Sequence, residues 1–493
     1  HRAVRVRGSS TVSQRCPSRT STHTVAGTAR STGVHGSNRR LLAAVSIASF
    51  ATIFDGTAMT IALPAIGRDL QASFSTLQWI ADAMLLAVTG LLLPMGRLGD
   101  RIGLRVATIA GMSVFAIVAA ATAFASSATW LLALRFLLGL PTAVLVPGTL
   151  ALLRVAYEDE TERARALSLW TAVTSSASAL GPLLGGVLVD RVGWRAIPPL
   201  TAMLMLAAMV LTWRSKPVTI ERQSQTIPAP TSALVLIGFA LLLHGLIHAP
   251  DAAAARSAAA IAAGLGCLTW ATIVDRRRAS PLLPWPLMRE PDFVWGNFAS
   301  ALVYFAVYGL SFGVAIYTQS SMHRSATIAG AILLPMAIMM LALANRVGRW
   351  VAATGGWLVA CIGGAIATFG LVMLGPAAAT GALAPMLLAT AVIGVGFALA
   401  IGPLNELMLR KASAEDATPA SAFGHATARA AGAIAIALAG LAGLSGADGE
   451  SARQVTRAFQ LAMIACAGMT GVAALVAGWR ALRSRRSARD PSA

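Results

Sequence analysis

Residues 41–63 read LLAAVSIASFATIFDGTAMTIAL, twenty-three positions with a single charged side chain, Asp55. As a helix this stretch rises about 1.5 Å per residue, enough to cross a hydrocarbon layer of ~30 Å. Runs of the same kind follow at 79–96, 106–126, 129–153, 166–189, 196–213, 231–249, 257–274, 293–318, 326–344, 350–373, 381–404, 421–444 and 457–479, each bounded by charged residues or Pro/Gly breaks. Fourteen apolar segments, with 56% hydrophobic and only 12% charged residues overall, are too much apolar surface for one soluble core. The runs are continuous rather than alternating, which excludes a membrane β-barrel and leaves an all-α membrane protein.

The net charge of +19 fits two classes of partner, nucleic acid or a membrane surface. Placement decides between them. With the amino terminus inside, 30 of the 39 Lys and Arg fall on the inner segments and 7 on the outer loops, leaving Arg135 and Arg429 within spans. Both termini are therefore expected in the cytoplasm, and flanks such as Arg276-Arg277-Arg278 act as topology anchors against anionic lipid. No nucleic-acid partner is needed. Arginine outnumbers lysine 37 to 2 and alanine is abundant, the mark of a GC-rich bacterial genome and hence of a bacterial inner membrane. Residues 1–40 hold eight arginines, many Ser/Thr and no acid, and are expected to be a disordered basic cytoplasmic tail; 480–493 form a second basic tail. Cys16, Cys267, Cys361 and Cys466 are scattered without metal-binding spacing. His244 and His248, four residues apart, have no third ligand beside them, and no paired acids with histidine suggest an enzyme; no metal or cofactor is expected.

Between the second and third spans stands Gly96-Arg97-Leu98-Gly99-Asp100-Arg101-Ile102-Gly103-Leu104-Arg105, read as a tight turn. It resembles the signature loop of the major facilitator superfamily. A plain basic topology loop would explain the arginines but neither the glycines nor Asp100. Phe54-Asp55-Gly56-Thr57 with Ala62-Leu63-Pro64, Leu134-Arg135-Phe136-Leu137-Leu138-Gly139, and Leu180-Gly181-Pro182-Leu183-Leu184-Gly185-Gly186 are similar to motifs of that superfamily's fourteen-span drug:proton antiporter branch, which includes quaternary-ammonium exporters and antibiotic self-resistance pumps. Thr60 and Ala196-Ile197-Pro198-Pro199 depart from the pattern, and the second copy of the signature loop near Asn345 has no aspartate.

The resemblance implies two six-helix bundles, 41–213 and 293–479, with two additional central helices at 231–274. It further implies efflux of amphipathic small molecules by a monomer driven by the proton motive force, with proton-coupled uptake as the alternative. Gly96, Asp100, Arg101, Gly103 and Arg105 would form a conformational latch in which Asp100 caps a neighbouring helix; Gly181, Pro182, Gly185 and Gly186 would form the antiport motif.

Charged groups inside the spans are costly and stand out for that reason. Asp55 and Arg135 lie at similar depths, about 12 and 9 Å from the outer ends of their segments at 1.5 Å per residue. They form either a proton-coupling pair or a static ion pair. Asp82 follows Trp79 at the outer edge of its span; it is either a substrate or cation contact or a wet surface acid. His425 and Arg429, one turn apart, are further candidates for substrate contact. Phe50, Trp170, Tyr304, Tyr308, Phe312 and Tyr317 are candidates to line a greasy cavity.

Overall fold

A computed structural model describes residues 28–157, 159–215, 229–250, 254–278, 281–412, 417–444 and 452–489. Among these there is no strand, and fourteen helices are long and apolar enough to cross a membrane. They are α1 (Thr28–Leu70), α2 (Phe74–Ile102), α3 (Leu104–Thr122), α4 (Ala128–Ala156), α5 (Glu160–Arg191), α6 (Ile197–Trp213), α7 (Ala229–Ile247), α8 (Ala254–Arg276), α9 (Pro291–Ile316), α10 (Ala326–Thr354), α11 (Gly356–Ala379), α12 (Leu383–Leu409), α13 (Ala417–Ala439) and α14 (Ala452–Arg489).

Several bounds differ from the sequence expectation: α10 runs on to Thr354, so the next span starts at Gly356 rather than 350, and α14 continues to Arg489 through most of the expected basic tail, since neither stretch holds a helix-breaking proline. The first helix begins at Thr28, so 28–40 is helical rather than irregular, while 1–27 lies outside the described residues. The second helix does not stop before the signature loop. It runs through Gly96 and Gly99 to Ile102, and the chain turns only at Gly103. The expected tight turn is thus a continuous helix with one break, because glycines inside a helix keep their backbone bonds when the flanking residues are good helix formers.

Helices α1–α6 and α9–α14 repeat one packing pattern. The first helix of each set touches the fifth and sixth, the second touches the fourth, and the third touches the fourth and sixth. Local chemistry repeats as well. Gln71 and His323 take positive φ (48° and 50°), Ser73 and Ser325 cap the helices that follow by accepting from Thr76 N–H and Ile328 N–H, and Gly103 and Gly355 end those helices at φ 99° and 91°. Each pair is offset by 252 residues, an internal repeat invisible to residue identity. The bundles meet along α2–α13 and α5–α10, seams exchanged by the same two-fold relation, and α7 with α8 forms a hairpin laid over the α2–α13 seam.

The strain at Gly103 is testable. Gly103→Ala places a Cβ at a φ that costs an L-residue about 1–2 kcal/mol, whereas Gly96 lies in regular helix with open space around its Cβ position. Thermal unfolding in detergent, followed by tryptophan fluorescence, should show a lower midpoint for Gly103→Ala and no loss for Gly96→Ala. The reverse order would contradict the turn assignment.

Candidate functional site

Asp55 and Arg135 face each other inside the first bundle. The Arg135 guanidinium donates to Asp55 Oδ2 in an ion pair that is almost completely buried, and Thr201 of α6 approaches Asp55 Oδ1 at 3.5 Å. Both side chains are almost fully buried within the bundle, so an exposed alternative would require the bundle to open. Removing either charge alone leaves the other without a counter-ion in a dry setting.

One turn from Asp55 lies a cavity of about 360 Å³ between the bundles. Its walls come from the halves of α1, α4, α5 and α13 nearest the 97–105 segment. The opposite end of the molecule is closed by contacts across the bundles. Gln319 donates to the Ile61 carbonyl at 2.8 Å, and Gln78 donates to the Ile436 and Ala437 carbonyls at 2.6 and 2.9 Å. Asp190 at the end of α5 accepts from the Ala326 and Thr327 N–H groups at 3.1 and 2.8 Å and from the Thr327 hydroxyl at 2.5 Å. A carboxylate on the first N–H groups of α10 satisfies donors that no helix can satisfy internally, and its charge opposes the helix dipole favourably. The seam is tight: a Cβ on Gly186 would collide with the backbone of Ala326, and one on Gly330 with the Pro182 carbonyl.

The sequence candidates fall into several groups. Asp55 and Arg135 are brought together. His425 and Arg429 line the cavity, joined there by Trp170, whose indole N–H donates to Ser49 at 3.0 Å. Of the other aromatic candidates, Phe50 stacks on Phe54, Phe312 packs against Phe74, and Tyr317 stacks on Phe459; Tyr304 and Tyr308 do not line the cavity either. Asp82 is wholly buried, so it is not a wet surface acid; neither carboxylate oxygen has a hydrogen-bond partner among the described residues, and it does not line the cavity. Gly181 and Gly185 press against Thr57 and Ala58 of α1, while Gly186 and Pro182 press on α10, making that motif a wedge between α1 and the second bundle.

In the signature segment, Arg105 donates to the Thr212, Trp213 and Ser215 carbonyls at 2.8–3.0 Å and so fastens α3 to the end of α6 within one bundle. Arg97 reaches the Pro281 carbonyl in the connection between α8 and α9. Arg101 is exposed, and Gly96 meets nothing at its Cβ position. The Asp100 side chain lies outside the described residues. Sequence reading missed Asp190, which makes a helix cap of the kind expected of Asp100, and Arg154 in the last turn of α4, which lines the cavity. It also missed Asp292, held by Trp357 Nε1 at 3.0 Å, by Arg480 at 2.6 Å and by Arg410, which clasps four helices of the second bundle. His244 and His248 lie ring to ring at 4.4 Å, with His244 tilted towards Trp79.

Two pseudo-symmetric six-helix bundles around a largely apolar cavity closed at one end define a multi-pass membrane transporter. The chain belongs to the Major Facilitator Superfamily, whose model matches residues 45–437. Curated relatives include the methylenomycin A resistance protein of Streptomyces coelicolor, 31% identical over 62% of this chain and 65% of that one. The tetracenomycin C resistance and export protein of Streptomyces glaucescens is 32% identical over 63% of this chain and 58% of its own. The matched segment thus spans less than two thirds of either relative. Among solved structures, the POT family transporter PepTSo superposes with a TM-score of 0.67 at 15% identity, covering 92% of this chain and 98% of that one, a likeness of fold.

The buried pair gives a direct stability prediction. Arg135→Gln should cost about 3–5 kcal/mol by stranding the carboxylate, and adding Asp55→Asn should recover most of the loss. Thermal midpoints of the two single variants and the double variant measure the coupling; additive losses would mean that the two groups do not interact.

Proposed function

We propose that the protein exports amphipathic small molecules from a bacterial cell in exchange for protons. The observation that carries the reading is the buried Asp55–Arg135 pair one turn beyond the cavity wall. A carboxylate in such a place has two acceptable partners, the arginine or a proton, since the guanidinium stays charged throughout. Opening of the closed end would let water reach Asp55 and a proton replace Arg135. Closing that end again would carry the proton towards the cavity side.

Under this reading the end with the 97–105 segment faces the cytoplasm, in keeping with the excess of basic residues there. The cavity is then open to the cytoplasm, and both termini lie on that side. The resistance and export named for the two relatives favour export over uptake, as does the wedge of Gly181, Pro182, Gly185 and Gly186. The membrane potential contributes ~2.3 kcal/mol per charge per 100 mV to each inward proton. Asp190, Gln319 and Gln78 hold the outer end shut between cycles, and Arg97 ties the signature segment to the connection that leads into the second bundle.

Asp55→Asn removes the titrating group while keeping its shape. In everted vesicles with an imposed pH gradient, that variant should insert at normal levels and lose entirely the gradient-driven transport of whichever probe, ethidium or benzylpenicillin, the unsubstituted protein moves. Transport at the rate of the unsubstituted protein would remove Asp55 from the coupling step.

A further inference from the structure

The fixed charges on the cavity wall are the guanidinium groups of Arg154 and Arg429, both positive. Arg154 stands at the mouth in the last turn of α4, His425 lies about 12 Å along α13 from its start, and Arg429 about 18 Å, at 1.5 Å per residue. Among the described residues the wall holds no acid. Of the two acids deep in the first two spans, Asp55 is taken by Arg135 and Asp82 is fully buried away from the cavity. No ion pair joins Arg154 or Arg429 to an acid among the described residues, and the buried Arg429 Nε has no hydrogen-bond partner there. His425, although well inside its span, is exposed to the cavity. The remaining wall alternates hydroxyls, such as Ser49 and Thr174, with leucines and the Trp170 face.

A fixed cation deep in a span is retained at a cost, and a cost of that kind is offset only by a partner. Among the described residues no side chain supplies one. We infer that the cavity between the bundles binds amphipathic organic acids, with the Arg429 guanidinium holding the substrate carboxylate, Arg154 drawing it in at the mouth, and the apolar wall with Trp170 taking the hydrocarbon part. A planar guanidinium presents paired N–H donors that match a carboxylate in two parallel bonds, which a cationic drug has no means to use. The volume of about 360 Å³ suits one drug-sized molecule, being near the low end of the ~300–1,000 Å³ typical of ligand pockets. This inference rests on the export reading, and it narrows the substrate to anions and zwitterions. It also makes transport electrogenic. For a one-for-one exchange, an anion leaving and a proton entering both move charge in the favourable direction, whereas exchange of a monovalent cation for a proton moves none.

The test uses benzylpenicillin, an amphipathic monocarboxylate, and its uncharged methyl ester, titrated calorimetrically into the purified full-length protein in neutral detergent. The acid should bind at least tenfold more tightly than the ester. In Arg429→Gln that ratio should fall towards one, in Arg429→Lys it should survive in part, and Arg154→Gln should weaken the acid several-fold without touching the ester. Added dioleoylphosphatidylglycerol should not displace the acid if the site takes a free organic acid; displacement at low lipid content would assign the site to an anionic headgroup and overturn the inference. Equal binding of acid and ester, or a ratio unchanged in both Arg429→Gln and Arg154→Gln, would overturn it as well. Proteoliposomes separate it from the export reading. Proton-driven movement of ethidium with none of benzylpenicillin sinks the organic-acid inference and leaves export standing; tight, Arg429-dependent binding of the acid without proton coupling does the opposite.

Discussion

A carboxylate surrounded by hydrocarbon has to be paired or protonated, and the first bundle is arranged around that constraint. Asp55 sits at mid-span on α1 with Arg135 of α4 against it and Thr201 of α6 beside it. One carboxylate thus bridges three helices. Under the proposed exchange for protons, replacing the arginine by a proton would relax the pairing that fixes α1 to α4, so protonation and rearrangement would share one event. The Asp292 clasp in the second bundle differs: three partners hold it at the end of the span, two of them arginines, and it lies at the surface end where such pairing secures structure.

The two bundles are joined unequally at their two ends. Near Asp190 the helices approach until backbone meets backbone, as Gly186 and Gly330 permit, and a carboxylate caps the partner helix. Near the cavity, hydroxyls and basic side chains face each other across open space. A rocking motion about the middle would exchange these conditions, which is the motion the pseudo-two-fold arrangement of α2–α13 and α5–α10 allows.

Much of this was legible in the sequence, and the remainder was hidden for identifiable reasons. Span number and approximate position follow from uninterrupted apolar length, because nothing else solvates such runs. The common depth of Asp55 and Arg135 followed from counting along two helices. Asp82 was harder: one turn from Trp79 the chain could meet water or another helix, and only the packing of α7 and α13 over that face decides it. Arg154 was absorbed into the general surplus of basic flanks, since composition does not separate an arginine facing lipid headgroups from one facing a cavity. Asp190 likewise stood at the end of a span, where an acid is unremarkable until α10 arrives from 136 positions away. Gln78 and Gln319 left a faint signal, amides close to apolar runs, but their acceptors are backbone carbonyls that no side-chain pattern reveals.

The claim on which the account turns is that Asp55 itself takes and releases the proton. Infrared difference spectroscopy on the purified protein, stepped between alkaline and acidic buffer in an Asp82→Asn background, observes that event through the carbonyl stretch of a buried protonated carboxyl group. The account predicts such a band, and its loss when Asp55→Asn is added. A band of the same intensity with and without Asp55 would place the proton on another group and contradict the mechanism.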